Sequence, residues 1–125
     1  MPLIYQKIIK RSDLKDNPDV LYVFGDNMER KGFGGQAAEM RGEPNAVGIV
    51  TKKKPSMADD AFFTKDDYAL AEPEITRSFS RLKKHIDQGG IVVWPSDDIG
   101  TGRAQLPERA PTIWQLICNI KDWLT

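Results

Sequence analysis

The sequence predicts an α/β domain built on a mainly parallel central sheet covered on both sides. Three observations carry that expectation. The continuous apolar runs Val20–Phe24, Ala46–Val50 and Ile91–Trp94 mark strands buried on both faces. Segments with helical periodicity alternate with these runs, as in βαβ units. Glycine-bearing loops leave the carboxyl ends of two of the runs, the edge at which open parallel sheets bind their ligands.

Leu3–Ile9 is β-rich and bounded by polar residues, so it opens the chain as a strand. Val20–Phe24 then runs straight into Gly25-Asp26-Asn27 and the glycine cluster Gly32-Phe33-Gly34-Gly35. Gln36 to Arg41 suits a short helix, and Gly42 is placed to end it. Ala46–Val50 is the next strand. The polar stretch Thr51–Ala71 follows, headed by Lys52-Lys53-Lys54-Pro55. A connection of that length is expected to fold locally or to serve a site. Within it, Thr64-Lys65-Asp66-Asp67 suits a capped short helix. Pro73–Gln88 is the clearest helix: Pro73 fits a first turn, Ile75, Phe79, Leu82 and Ile86 recur at helical spacing, and Gly89-Gly90 stops it. Ile91–Trp94 leads into the loop Pro95–Arg103. A last helix, from about Glu108, carries Ile113, Leu116, Ile117, Ile120 and Leu124 on one face. No repeat or disordered linker divides the chain, which reads as one domain over residues 1–125.

The 125 residues suffice to bury a core. Eighteen basic residues balance eighteen acidic ones, which argues against a protein that works by gripping nucleic-acid backbones. Binding one small anion needs only local dipoles and is compatible with that balance. The single cysteine, Cys118, excludes an intrachain disulfide, and no Cys/His cluster has zinc spacing; neither a metal nor a cofactor is expected. The N-terminus has no basic-then-apolar signal, and no apolar run approaches membrane-spanning length. A cytoplasmic protein without a membrane partner is the expectation.

Gly25 to Gly35 and Ser96 to Gly102 each follow a strand and precede a helix. Two sets of backbone N–H groups facing one crevice suit a ligand with two linked phosphates, and glycine lets the phosphates approach the backbone closely. The alternative is that these glycines only make tight turns. The first loop is not a P-loop, because no Gly-Lys-Ser/Thr ends it, and its glycines do not have the dinucleotide-fingerprint spacing.

Asn27 followed by Gly32-Phe33-Gly34-Gly35-Gln36-Ala37 resembles the asparagine and glycine loop of the macro domain family. Ile99-Gly100-Thr101-Gly102 after an apolar strand resembles that family's second phosphate loop, and Ser12-Asp13-Leu14 resembles its Gly-Asp-Ile segment. The resemblance runs from about Ile8 to the last helix. It implies a compact three-layer α/β/α macro-like domain that binds ADP-ribose or an ADP-ribose-derived nucleotide, with hydrolysis of an ADP-ribosyl bond as an extension. It would set Asp13 on the adenine amino group and Asn27 against the distal ribose. Gly32, Gly34 and Gly35 would hold one phosphate, and Gly100, Thr101 and Gly102 the other, with Gly25, Gln36 and Ile99 in the same wall. The implied partner is a small-molecule nucleotide or an ADP-ribosylated target; nucleic acid enters only as a modified target. The chain departs from the family where Gly25-Asp26 replaces the upstream asparagine, where Ser12 replaces glycine, and in its shorter length.

Single residues carry alternative readings. Asp26 is a candidate for a ribose hydroxyl or a catalytic water, or else a turn residue bonding its own backbone. Asp97 and Asp98 could orient a water at the distal ribose, with Asp98 a catalytic candidate beside Asn27 and Asp26, or could solvate and cap the loop. Arg103 could clamp a phosphate or pair with Glu108. Phe33, inside the loop, is the aromatic placed to touch a ligand, whereas Phe62 and Phe63 read as core. Lys31 and Glu39 read as surface residues, as does His85 between Lys84 and Asp87. Cys118 reads as an inert thiol, and Lys52-Lys53-Lys54 as a solvated face or an anion funnel. Two further functions remain open: a protein-interaction module that keeps the fold without the ligand, and a magnesium-dependent nucleotide or sugar-phosphate phosphohydrolase using Asp97 and Asp98.

Overall fold

The computed structural model describes residues 2–125. Its four strands are β1 (Leu3–Gln6), β2 (Val20–Asn27), β3 (Ala46–Lys52) and β4 (Ile91–Pro95). They form one sheet in the order β1-β4-β2-β3. Every pairing among them is parallel: Leu3 lies opposite Val92, Tyr22 opposite Val93, and Val23 opposite Val47. The helices are α1 (Arg11–Asp16), α2 (Ala37–Met40), α3 (Tyr68–Asp87), α4 (Leu106–Arg109) and α5 (Pro111–Trp123). The expected α/β architecture with a parallel central sheet is therefore present.

The strands alternate their side chains between two cores, as a period of two requires. Leu21, Val23, Val47, Ile49, Val92 and Trp94 pack with Ile75, Phe79 and Leu82 of α3 and Ile113 and Ile117 of α5. The Phe79 and Trp94 rings stack with centroids 6.0 Å apart. Tyr22, Phe24 and Val93 face the other way, against Leu14 of α1 and Ala37 and Met40 of α2. Buried Asn45 ties the two sides of the β2–β3 edge together by donating to the carbonyls of Leu14, Asn17 and Val20.

Several boundaries differ from the sequence expectation for local reasons. β1 stops at Gln6, and the apolar Ile8 that extended the predicted strand is exposed. β2 continues through Asp26 and Asn27, so these residues are strand rather than loop. α3 begins at Tyr68, which puts Pro73 inside the helix instead of in its first turn. The proline costs one backbone donor there, and both Pro73 and Ala69, whose carbonyl loses that donor, face water. Thr64 and Asp67 form the anticipated cap: the Asp67 carboxylate accepts the Thr64 N–H at 2.8 Å, and the turn Lys65–Asp67 feeds directly into α3. The predicted C-terminal helix is split at Ala110, with Pro111 opening its longer part. His85 is half-buried rather than fully exposed: its ring packs over Gly90, where an added Cβ would meet it, and its Nε2 is buried.

This topology locates the site. β2 and β4 are adjacent, yet α2 after β2 covers one face while α4 and α5 after β4 cover the other. The connections diverge between those two strands, and a crevice opens beyond their carboxyl ends.

Candidate functional site

The crevice is a cavity of about 540 Å³, within the roughly 300–1,000 Å³ of small-molecule sites. The glycine loop after β2, the loop after β4 and the segment Lys52–Met57 after β3 form its walls. Gly25, Asp26, Asn27, Gly32, Phe33, Gly34, Gly35 and Gln36 line it from the first loop, and Asp98, Ile99, Gly100, Thr101, Gly102 and Arg103 from the second. Two loops separated by more than half the chain thus meet as the sequence suggested. Asp13 does not line the cavity. It is held at the start of α1, where its carboxylate accepts the Lys10 N–H at 2.9 Å and the Gln6 amide at 3.0 Å.

Backbone donors dominate the two loops. Among the described residues, no acceptor takes the N–H groups of Lys31–Gln36 or Gly100–Ala104. Gly32 and Gly100 have φ of +93° and +79°, a conformation that exposes successive N–H groups and that L side chains rarely adopt. α2 is a single turn, so attraction for an anion rests on these donors and on side-chain cations rather than on a helix dipole.

The cations are Lys31, Arg41, Lys52, Lys54 and Arg103. Arg41 is paired with Asp26, and Lys54 with Asp60. Lys31, Lys52 and Arg103 have no carboxylate partner among the described residues, and Arg103 does not pair with Glu108. Burial and then the positive charge of Arg103 push the Lys52 amine below its ordinary value. The Arg103 guanidinium lies across Gly34, 3.0 Å from the position a Cβ would take there, and so bridges the loops.

Asn27 and Asp26 have opposite situations at the end of β2. A bulge shifts the register so that Asp26 faces Val50 and Asn27 faces Lys52, leaving Thr51 as the extra residue. Asn27 is only 7% exposed; its Nδ2 donates to the Lys31 carbonyl at 2.8 Å, while its buried Oδ1 has no partner. Asp26, by contrast, is fully engaged. It accepts from the Asn27 N–H at 2.8 Å, from Arg30 at 3.1 Å and from Arg41 in its closest contact. Arg41 also donates to the Gly32 carbonyl at 2.6 Å, so the pair staples the glycine loop to the strand. Gly48 makes this possible, since a Cβ there would lie 2.5 Å from the Asp26 carboxylate. Asp26 is a structural anchor rather than a free catalytic acid.

Asp98 is committed as well. Its Oδ1 accepts from the Trp94 indole and from the Ile99 N–H, both at 2.8 Å, and its charge reaches Cys118, whose thiol burial and then Asp98 push upward. Gln36 clips the two loops together: Oε1 accepts the Gly25 N–H at 2.9 Å, and Nε2 donates to the Asp98 carbonyl at 3.0 Å. Phe33, 65% exposed, and Met57, 56% exposed, supply apolar surface at the mouth. Phe62 and Phe63 are core residues. Arg41, Thr51 and the Pro55–Met57 wall escaped the sequence reading. Nothing in the sequence pointed to Arg41, because Asp26 read as a loop residue and its need for a cation appears only once β2 buries it.

Fold and site together define a parallel α/β domain with a basic, N–H-lined crevice at its carboxyl edge. The chain belongs to a family of unknown function (DUF7831), whose profile matches residues 4–120. No curated protein and no solved structure matches the sequence. Among the described residues no helix is long and apolar enough to cross a membrane.

Proposed function

We propose that this chain binds ADP-ribose or an ADP-ribose-derived nucleotide across its two glycine loops, free or carried on a modified target, in the cytoplasm. The observation that carries the reading is the Asn27 Oδ1. A buried acceptor without a donor costs about 1–3 kcal/mol, and a small shift of the Asn27 side chain on binding would offer it to a ribose hydroxyl. The unpartnered N–H groups on either side and the uncompensated Arg103 and Lys31 suit two linked phosphates. Resemblance to macro domains adds the adenosine, which the cavity chemistry does not specify. Binding is favoured over hydrolysis, because Asp26 and Asp98 spend carboxylate oxygens on protein donors. Asp97, exposed and without a side-chain partner among the described residues, and the second carboxylate oxygen of Asp98 are left to position a water.

Calorimetric titration with ADP-ribose, with AMP and NAD as comparisons, tests the reading. Saturable binding is expected for ADP-ribose. Asn27→Ala should weaken it roughly 5- to 30-fold through one lost hydrogen bond. Gly34→Val should also weaken it by displacing the flexible Arg103 guanidinium. No saturable heat with any of the three nucleotides would sink the proposal.

A further inference from the structure

We propose that Lys52 forms a reversible imine with the open-chain aldehyde of a reducing sugar phosphate held in the crevice. This rests on the reading above, since it requires a phosphorylated sugar with a free anomeric carbon beside Asn27. The placement follows from the sheet. Lys52 is the last residue of β3 and the register partner of Asn27 on β2. Partners in a parallel pair project to the same side, so the amine belongs at the sugar end of the site.

The three consecutive lysines are not equivalent. Lys53 pairs with Asp67 at 3.4 Å, and Lys54 with Asp60 at 2.9 Å. Lys52 has no carboxylate partner among the described residues. Its amine donates to the Ser56 carbonyl and, at 3.7 Å, to the Met57 sulfur, and lies 5.0 Å from the Phe62 ring centroid. The ring and the carbonyl favour the charged amine, but burial and the Arg103 charge outweigh them, and the net shift is downward. For Lys54 the direction is the reverse, because Asp60 holds its proton. A lysine without a counter-ion beside a second cation is the arrangement that prepares an amine for carbonyl attack. In the neutral amine two hydrogens remain for Ser56 and Met57, which leaves the lone pair free.

The step balances without a co-reactant. The lone pair attacks the C1 carbonyl carbon and the C=O π electrons move to oxygen. A proton passes from nitrogen to that oxygen to give a carbinolamine, and loss of water forms the C=N bond. Hydrolysis reverses the sequence.

The test incubates the full chain with ADP-ribose and sodium cyanoborohydride, which reduces the imine to a stable secondary amine. Peptide mass mapping locates the adduct, and calorimetry on untreated protein is run in parallel. The expected result is a reduced adduct at Lys52 forming at least ~10-fold faster than at exposed lysines such as Lys7 and Lys65, a small share of what positioning can supply. Lys52→Arg should abolish the selective adduct, and Arg103→Gln should slow it. Binding accompanied by adducts spread evenly over surface lysines, or by none, would overturn the inference and leave the nucleotide reading standing. Absence of both binding and selective labelling would overturn both.

Discussion

Removing Asp26 and Arg41 together should cost less than the sum of removing each alone. The Asp26 side chain is 3% exposed and that of Arg41 16%. Arg41→Ala leaves the carboxylate buried with the Asn27 N–H and the half-exposed Arg30, which lies 3.1 Å away. Asp26→Ala leaves Arg41 without a carboxylate over the end of β2, while Arg30 keeps Glu74 and the Gly48 carbonyl. Breaking a buried pair from one side costs about 3–5 kcal/mol. Arg30 survives in the first case and the Lys31 and Gly32 carbonyls still receive Arg41 in the second, so the lower end, about 3 kcal/mol, applies to each. At roughly 2.1 cal/mol/K of unfolding entropy per residue over 125 residues, that lowers Tm by about 11 °C. The double variant should cost clearly less than the sum, with a coupling of about 2 kcal/mol. Urea unfolding of the wild type and the three variants measures the cycle, and the m-value checks that the unfolded reference is unchanged. Additivity within about 0.5 kcal/mol would refute the staple, as would an Arg41→Ala cost below about 1 kcal/mol.

Three other outcomes follow from the same geometry. Asp67→Asn should cost about 1 kcal/mol at neutral pH by weakening the cap that starts α3. Burial pushes the Asp67 carboxyl up, but the Thr64 N–H and hydroxyl and Lys53 outweigh it and hold it below its ordinary 3.8. A depressed folded value gives stability that is present above pH 3.8 and is lost as pH falls through the folded value, so denaturation curves of wild type and variant should converge in strong acid; an undiminished gap at about pH 2 would contradict this. Gly100→Ala should destabilise by about 1–3 kcal/mol, since φ is +79° and the new Cβ would lie 3.1 Å from Leu106 and 3.2 Å from Thr51. Gly102→Ala, with nothing within 4 Å, should stay within about 0.5 kcal/mol in the same melts. Gln36→Leu should cost roughly 2 kcal/mol and speed hydrogen exchange at the Gly25 amide, because both ends of the inter-loop clip lose their partner; unchanged exchange there would show that the clip is dispensable.

Much of the architecture is determined by the sequence alone, because local patterns carry it. Val20–Phe24, Ala46–Val50 and Ile91–Trp94 are apolar throughout and became three strands of a parallel sheet, the first and last of them central and Ala46–Val50 at one edge. Parallel strands put their carboxyl ends on one edge, so the meeting of Gly32–Gly35 with Gly100–Gly102 was legible before any coordinates. The Thr64–Asp67 cap was legible too, since capping chemistry acts within a few residues. Tertiary structure decided which partners each polar side chain in the crevice meets. Asp26 and Asp98 left a structural and a catalytic reading open in the sequence; Arg41, fifteen residues along the chain from Asp26, and the Trp94 indole are the partners that folding brings to them. Asn27 stood out in the sequence as the residue a strand end carries to the crevice, but only the bulge at Thr51 shows it buried with its oxygen unanswered. Asp13 matched a family pattern, and the structure shows that its carboxylate also caps α1. Backbone conformation follows from near neighbours in the chain, whereas a side chain's free valences depend on distant residues that only folding brings within hydrogen-bond reach.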